Sequence, residues 1–163
     1  MAPTKAAAPK AAKTPKVKQI QYYEAVGRRK EAVARVRLYI TGREKVSTVE
    51  GGKIKQGDIV VNKKPVAEIF NSASAKIRLA QPFKSTNTEE RFAVSAHIVG
   101  GGPNGQLEAL ILGIARALEK SDKDVIRPLL KENGLLTRNP KVRQRRMVGT
   151  GGKARRKKQS PKR

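Results

Sequence analysis

Every acidic residue of the chain, thirteen in all, lies between Glu24 and Glu132. The flanking segments hold only bases: five lysines in residues 1–19, and twelve lysines and arginines in residues 134–163. Of a formal charge of +24 on 163 residues, only +7 belongs to residues 20–133. The last twenty residues, QRRMVGTGGKARRKKQSPKR, carry nine positive charges, and only Met147 and Val148 are apolar side chains of any size. Such a segment cannot bury enough surface to offset the entropy of ordering it. The fold is therefore expected within residues 20–133, as one domain of ordinary size. An Ala/Lys/Pro-rich basic arm precedes it at 1–19, and an extended basic tail, disordered when free, follows at 134–163.

This charge works against a compact free state, and a polyanion relieves it. Nucleic acid fits best, because phosphate contacts also release counterions. A membrane surface fits less well, since neither end offers Trp, Phe, Cys or a run of Leu as an anchor. With no cysteine in the chain, disulfides, thiolate metal sites and cysteine catalysis are excluded. No apolar run approaches the length of a membrane span. Residues 1–19 lack the apolar centre of a secretory signal. They read as a basic arm, with a transit peptide as the alternative, although they contain no arginine.

Between the ends the pattern is regular. A short strand is expected at 22–26, then a basic turn, Gly27-Arg28-Arg29-Lys30. Residues 32–40 alternate: the even positions are apolar, and the odd positions from 35 are Arg35, Arg37 and Tyr39, as in a half-buried strand. Residues 41–56 read as a loop and 58–62 as a strand. Lys63-Lys64 forms a turn, and Pro65 opens a short helix ending near Phe70. Residues 74–81 read as helical, ending before Pro82. A strand is expected over 91–99. Leu107, Leu110, Ile111, Ile114 and Leu118 then form one apolar stripe at helical spacing. Ser121-x-x-Asp124 resembles a capping box, leading a helix that docks through Val125, Leu129 and Leu130, is interrupted or restarted at Pro128, and stops at Gly134. The order predicts an α+β fold, a two-layer domain with helices on one sheet face and Arg35 and Arg37 on the other.

The candidate chemistry is sparse. His97 is the only histidine and reads as a solvated or hydrogen-bonded strand residue. The acids are scattered, so no metal cluster is expected. Gly100-Gly101-Gly102-Pro103-Asn104-Gly105 leads into the long helix, where backbone N–H groups can meet a phosphate. It matches neither the P-loop nor the dinucleotide fingerprint and reads first as a tight strand-to-helix turn. Arg28, Arg29, Lys30, Arg35 and Arg37 read as phosphate ligands, with Glu31 the nearest acid in sequence.

These segments in this order resemble the S-nine family of small-subunit ribosomal proteins, of bacterial or organellar type. The resemblance rests on Gly27–Val36 (GRRKEAVARV), Val61-Asn62, Gly100–Gln106 (GGGPNGQ), Ile114–Leu118 (IARAL), Gly134–Arg138 (GLLTR), Lys153–Arg156 (KARR) and the terminal Lys162-Arg163. It spans about residues 22–163. It implies a domain like the second domain of ribosomal protein S-five, and a non-catalytic structural role without cofactors or metal. The implied partners are small-subunit rRNA, neighbouring proteins of the subunit head and the anticodon stem-loop of P-site tRNA. No membrane is implied. The implied location is the cytoplasmic ribosome, with an organellar one as the alternative. The rRNA ligands it implies are Arg28, Arg29, Lys30, Arg35 and Arg37 in the domain, and Arg138, Arg143, Arg145, Arg146, Lys153, Arg155 and Arg156 in the tail. Lys162 and Arg163 are the implied tRNA contacts. The chain departs from the family in its longer 41–56 segment and in an extra residue over 147–152. It also ends in Ser160-Pro161 where the family has Phe-Ser. Two other classes fit parts of the sequence: a linker-histone-like DNA binder, from the Ala/Lys/Pro arm, and a nucleotide-using enzyme, from the glycine loop. The first lacks a recognisable three-helix module, and the second lacks an evident base, nucleophile or metal set.

Overall fold

A computed structural model of the chain describes residues 21–40, 46–47, 53–149 and 152. Five strands form one mixed sheet in the order β1-β2-β7-β5-β6: β1 (Tyr22–Arg29), β2 (Ala32–Ile40), β5 (Ile59–Val61), β6 (Lys64–Pro65) and β7 (Phe92–Val99). Neighbours are antiparallel except β5 and β7, which are parallel. A separate pair, β3 (Val46–Ser47) and β4 (Lys53–Ile54), lies within the segment expected as a plain loop. The helices are α1 (Val66–Ile69), α2 (Ala73–Thr86), α3 (Pro103–Ser121) and α4 (Lys123–Glu132).

The even residues of β2 make the core, as their alternation predicts. Ala34, Val36 and Leu38 pack with Val94, Ala96 and Ile98 of β7 beneath α3, whose whole expected stripe is buried. Two glycines set the approach of this helix to the sheet. A Cβ on Gly27 would run into the Ala109 carbonyl and come 2.5 Å from the Gly113 nitrogen, and one on Gly113 would lie 2.6 Å from Val36 Cγ2. Gly27 therefore belongs to β1, and the basic turn shrinks to Lys30-Glu31, with Lys30 at φ 52°. Gly100 and Gly101 (φ 74° and 68°) are demanded by a similar closeness. Side chains there would meet the Glu31 carbonyl at 2.5 Å and Ala32 Cβ at 2.8 Å, so the glycine loop is a packed turn against the first hairpin.

Both expected proline boundaries fail. α2 continues through Pro82 to Thr86, because Pro82 and Phe83 are buried and the Ser85 and Thr86 hydroxyls donate to the Pro82 carbonyl at 3.1 and 2.9 Å. α4 runs unbroken through exposed Pro128. Its cap is Asp122, whose carboxylate accepts from the Val125 amide at 3.5 Å; Ser121 instead ends α3, donating to the Leu118 carbonyl. The docked residues are Ile126 and Leu130, while Val125 and Leu129 are exposed. Tyr39, expected on the open face, is fully buried there by Ile54 of β4, together with Ala93 and Val60.

Gly134 ends α4 as expected. At φ 68° its amide donates to the Lys131 carbonyl and the Leu135 amide to the Leu130 carbonyl, both at 3.0 Å, the paired bonds of a Schellman motif. Space around Gly134 is open, so alanine there meets only the left-handed backbone cost. Gly134→Ala is expected to lower stability by about 1 kcal/mol in urea titration, with the helix retained.

Candidate RNA-binding surface

The strand register lays out the sheet face opposite the helices row by row. The first row, Tyr22-Tyr39-Ala93, ends under Ile54. Then come Glu24-Arg37-Ser95, Val26-Arg35-His97 and Arg28-Val33-Val99. Arg35 and Arg37 thus share the open face, as expected, but Glu24 stands directly opposite Arg37. Its carboxylate lies 3.3 Å from Arg37 Nε and 3.7 Å from Arg35 Nε. Arg37 is only 17% exposed and lies 5.5 Å from the Tyr22 ring centre. Burial lowers its pKa, but the hydrogen bond and charge of Glu24 outweigh that, and the net shift is upward. Arg35 is 59% exposed and is the more available cation. His97 is exposed beside it.

One end of the sheet gathers several more cations. The first hairpin ends there at Lys30. Asn62 and Lys63, both left-handed (φ 48° and 68°), turn β5 into β6 at the same end, where the Asn62 amide exchanges two bonds with Ile98. Lys63 and Lys64 are exposed, as are Arg28 and Lys30. Arg29 faces the helix layer instead. Its Nε pairs with Glu108, and its Nη1 donates to the Lys141 carbonyl at 2.7 Å. Arg78 of α2 also reaches Glu108, at 3.4 Å. Burial pushes the Glu108 pKa up, but Arg29 and Arg78 outweigh it, leaving the carboxyl below its ordinary value.

The tail begins on this same flank. Arg29, Arg78 and Glu108 line one cleft with Leu135, Thr137 and Asn139. Beyond it Arg138, Arg143, Arg145 and Arg146 are all exposed. Lys153, Arg155, Arg156, Lys162 and Arg163 lie outside the described residues. Local sequence gives no sign of Arg78, because its partner Glu108 is 30 residues away on another helix. Glu24 is visible only once the β1–β2 register is known. Among the described residues no group of His or acids could hold a metal ion, and no helix is long and apolar enough to cross a membrane.

Residues 27–163 match the family model described as ribosomal protein S9/S16. The small ribosomal subunit protein uS9 of Rickettsia rickettsii (strain Sheila Smith) is 39% identical over 153 residues, covering 93% of this chain and 86% of that protein. The match begins at Gly27, the residue that seats α3, and continues through the basic tail. The chain therefore belongs to the ribosomal protein S9/S16 family, RNA-binding structural components of the small ribosomal subunit rather than enzymes.

Proposed function

We propose that the chain binds rRNA in the head of the small subunit and extends its tail to the anticodon stem-loop of tRNA in the P site. Arg28, Lys30 and Arg35 supply the domain's phosphate contacts, with Arg37 held beside them by Glu24. Arg138, Arg143, Arg145 and Arg146 open the tail's contacts, and Lys153, Arg155 and Arg156 continue them. Lys162 and Arg163 reach the tRNA, where a guanidinium suits a two-pronged phosphate contact. Neighbouring head proteins are the remaining partners, on cytoplasmic ribosomes.

The observation that carries this reading is the continuity of exposed positive charge. Arg28 and Lys30 project from the domain flank on which the tail starts, and residues 133–163 contain no acid to interrupt the series. A polyanion that follows the tail meets cations and no acid. The tail lacks aromatic residues, so its contacts are charge pairing and arginine stacking rather than aromatic–base stacking.

Two measurements test the proposal. In native lysate at high salt and low magnesium, the chain is expected to migrate with the small subunit. A position at the top of the gradient, or with chromosomal DNA, sinks the rRNA reading. Subunits carrying a chain that lacks residues 160–163 are expected to assemble normally but bind P-site tRNA about tenfold more weakly, the worth of one charged hydrogen bond or two weaker ones. Normal tRNA binding by those subunits removes the terminal contact from the proposal.

A further inference from the structure

We infer that Arg29 is a positioning residue that latches the root of the tail to the domain, rather than a phosphate ligand. This deepens the tail reading above, and its first test is made on the free protein, so it is decided without RNA.

Two pins hold the tail root. The first is the Schellman turn at Gly134, after which Leu135 and Leu136 pack against the core as half-buried residues. The Thr137 amide closes this turn on the Gly134 carbonyl at 3.4 Å, and without a second pin the chain would swing freely beyond it. The second pin lies at Lys141. The Lys141 amide donates to the Asn139 side chain at 3.0 Å, a local turn that spans Pro140, and its carbonyl accepts from Arg29 Nη1.

Arg29 is suited to this and poorly placed for RNA. Its side chain is only 13% exposed, less than that of Arg35 or Arg37. Its register puts it on the helix side of the sheet, next to Ala32. Glu108 holds Nε, fixing the plane of the guanidinium so that Nη1 points at the tail backbone, and Arg78 braces Glu108 from the other side. A guanidinium can hold a carboxylate and a carbonyl at once in fixed geometry, whereas an ammonium on a flexible stem cannot. A carboxylate beside a supposed phosphate ligand would weaken phosphate binding; beside a latch it is the part that aims it. Fixing Lys141 also fixes the departure of Arg143, Arg145 and Arg146, so less ordering remains to be done when RNA binds.

The test is hydrogen exchange at the Lys141 amide of the full chain, which is bonded to the Asn139 side chain, in Arg29→Lys and, separately, in Glu108→Ala. Both are expected to speed exchange there about tenfold, with β2 and α3 amides unchanged. Exchange unaltered in both variants overturns the latch. The second arm is rRNA binding against salt. With a latch, Arg29→Lys and Arg29→Ala weaken binding alike and leave the salt slope as it was. If Arg29→Ala instead lowers the slope by about 0.7–0.9 while Arg29→Lys behaves as wild type, Arg29 is a phosphate ligand and the inference fails. If the unaltered chain does not bind rRNA, the functional reading above fails, while the exchange result still decides the latch.

Discussion

Gly27→Ala is expected to cost about 3 kcal/mol or more and to lower the melting temperature by roughly 10–20 °C for a domain of this size. The added methyl group would strike the Ala109 carbonyl and crowd the Gly113 nitrogen, both backbone atoms of α3. No rotamer change relieves a clash with backbone, so the helix must move off β1 and β2. That movement opens the contact with Val36 and loosens the layer formed by Leu110, Ile114 and Leu118. Gly105→Ala is the control. Its Cβ would sit 3.6 Å from the Arg29 carbonyl and 3.7 Å from Ala32 Cβ, ordinary contacts, and in the first turn of α3. Alanine there is expected to be neutral or to stabilise by about 0.5–1 kcal/mol through helix propensity. Thermal melts of the two variants settle the point: equal stability would mean that α3 does not depend on the Gly27–Gly113 approach.

Gly27 also shows why part of this fold was not legible in the sequence. Glycine permits a turn and permits a close approach, and only the helix passing overhead distinguishes them. The α3 stripe and the even positions of β2 were legible because each has a single apolar face with one period. Pro82 misled for a different reason: local sequence records the hydrogen bond that it forfeits but not the burial of Pro82 and Phe83 that offsets it. In α4 the apolar pair Val125 and Leu129 and the pair Ile126 and Leu130 are one residue apart, so the face that docks depends on the angle at which Asp122 starts the helix. Tyr39 was misplaced because its cover, Ile54, comes from a two-residue strand too short to leave a period.

The candidate surface divides in the same way. Arg35 on the open face follows from alternation alone, and the exposed tail cations follow from composition. The pairing of Arg37 with Glu24 depends on strand register, and the turning of Arg29 toward Glu108 and Lys141 depends on a helix 79 residues along the chain. Charge counting gives the number of cations but not which are already committed. In β1 and β2 the commitments fall on Arg29 and Arg37, leaving Arg28, Arg35 and Lys30 as the exposed set.

Exposed cations are expected to dominate the salt dependence of binding, and their largest block is in the tail. Replacing Arg143, Arg145 and Arg146 together by alanine is expected to reduce the slope of log affinity against log salt by roughly 2–3, at about 0.7–0.9 for each phosphate no longer neutralised. At about 0.1 M salt that corresponds to a drop of two to three orders of magnitude in rRNA affinity, relative to the extrapolated value near 1 M. All three side chains are on exposed residues outside any helix or strand, so the melting temperature is expected to stay within about 1 °C, as for surface substitutions generally. Arg35→Ala should lower the slope by only about 0.7–0.9, the share of a single phosphate. Arg37→Ala should leave the slope nearly unchanged while destabilising the sheet, because it strips Glu24 of its closer partner and uncovers the Tyr22 ring. Filter-binding titrations across salt, run beside melts, separate these roles. A triple tail variant with an unaltered slope would mean that residues 143–146 stay in solvent, and that the other cations of the domain and tail carry the RNA.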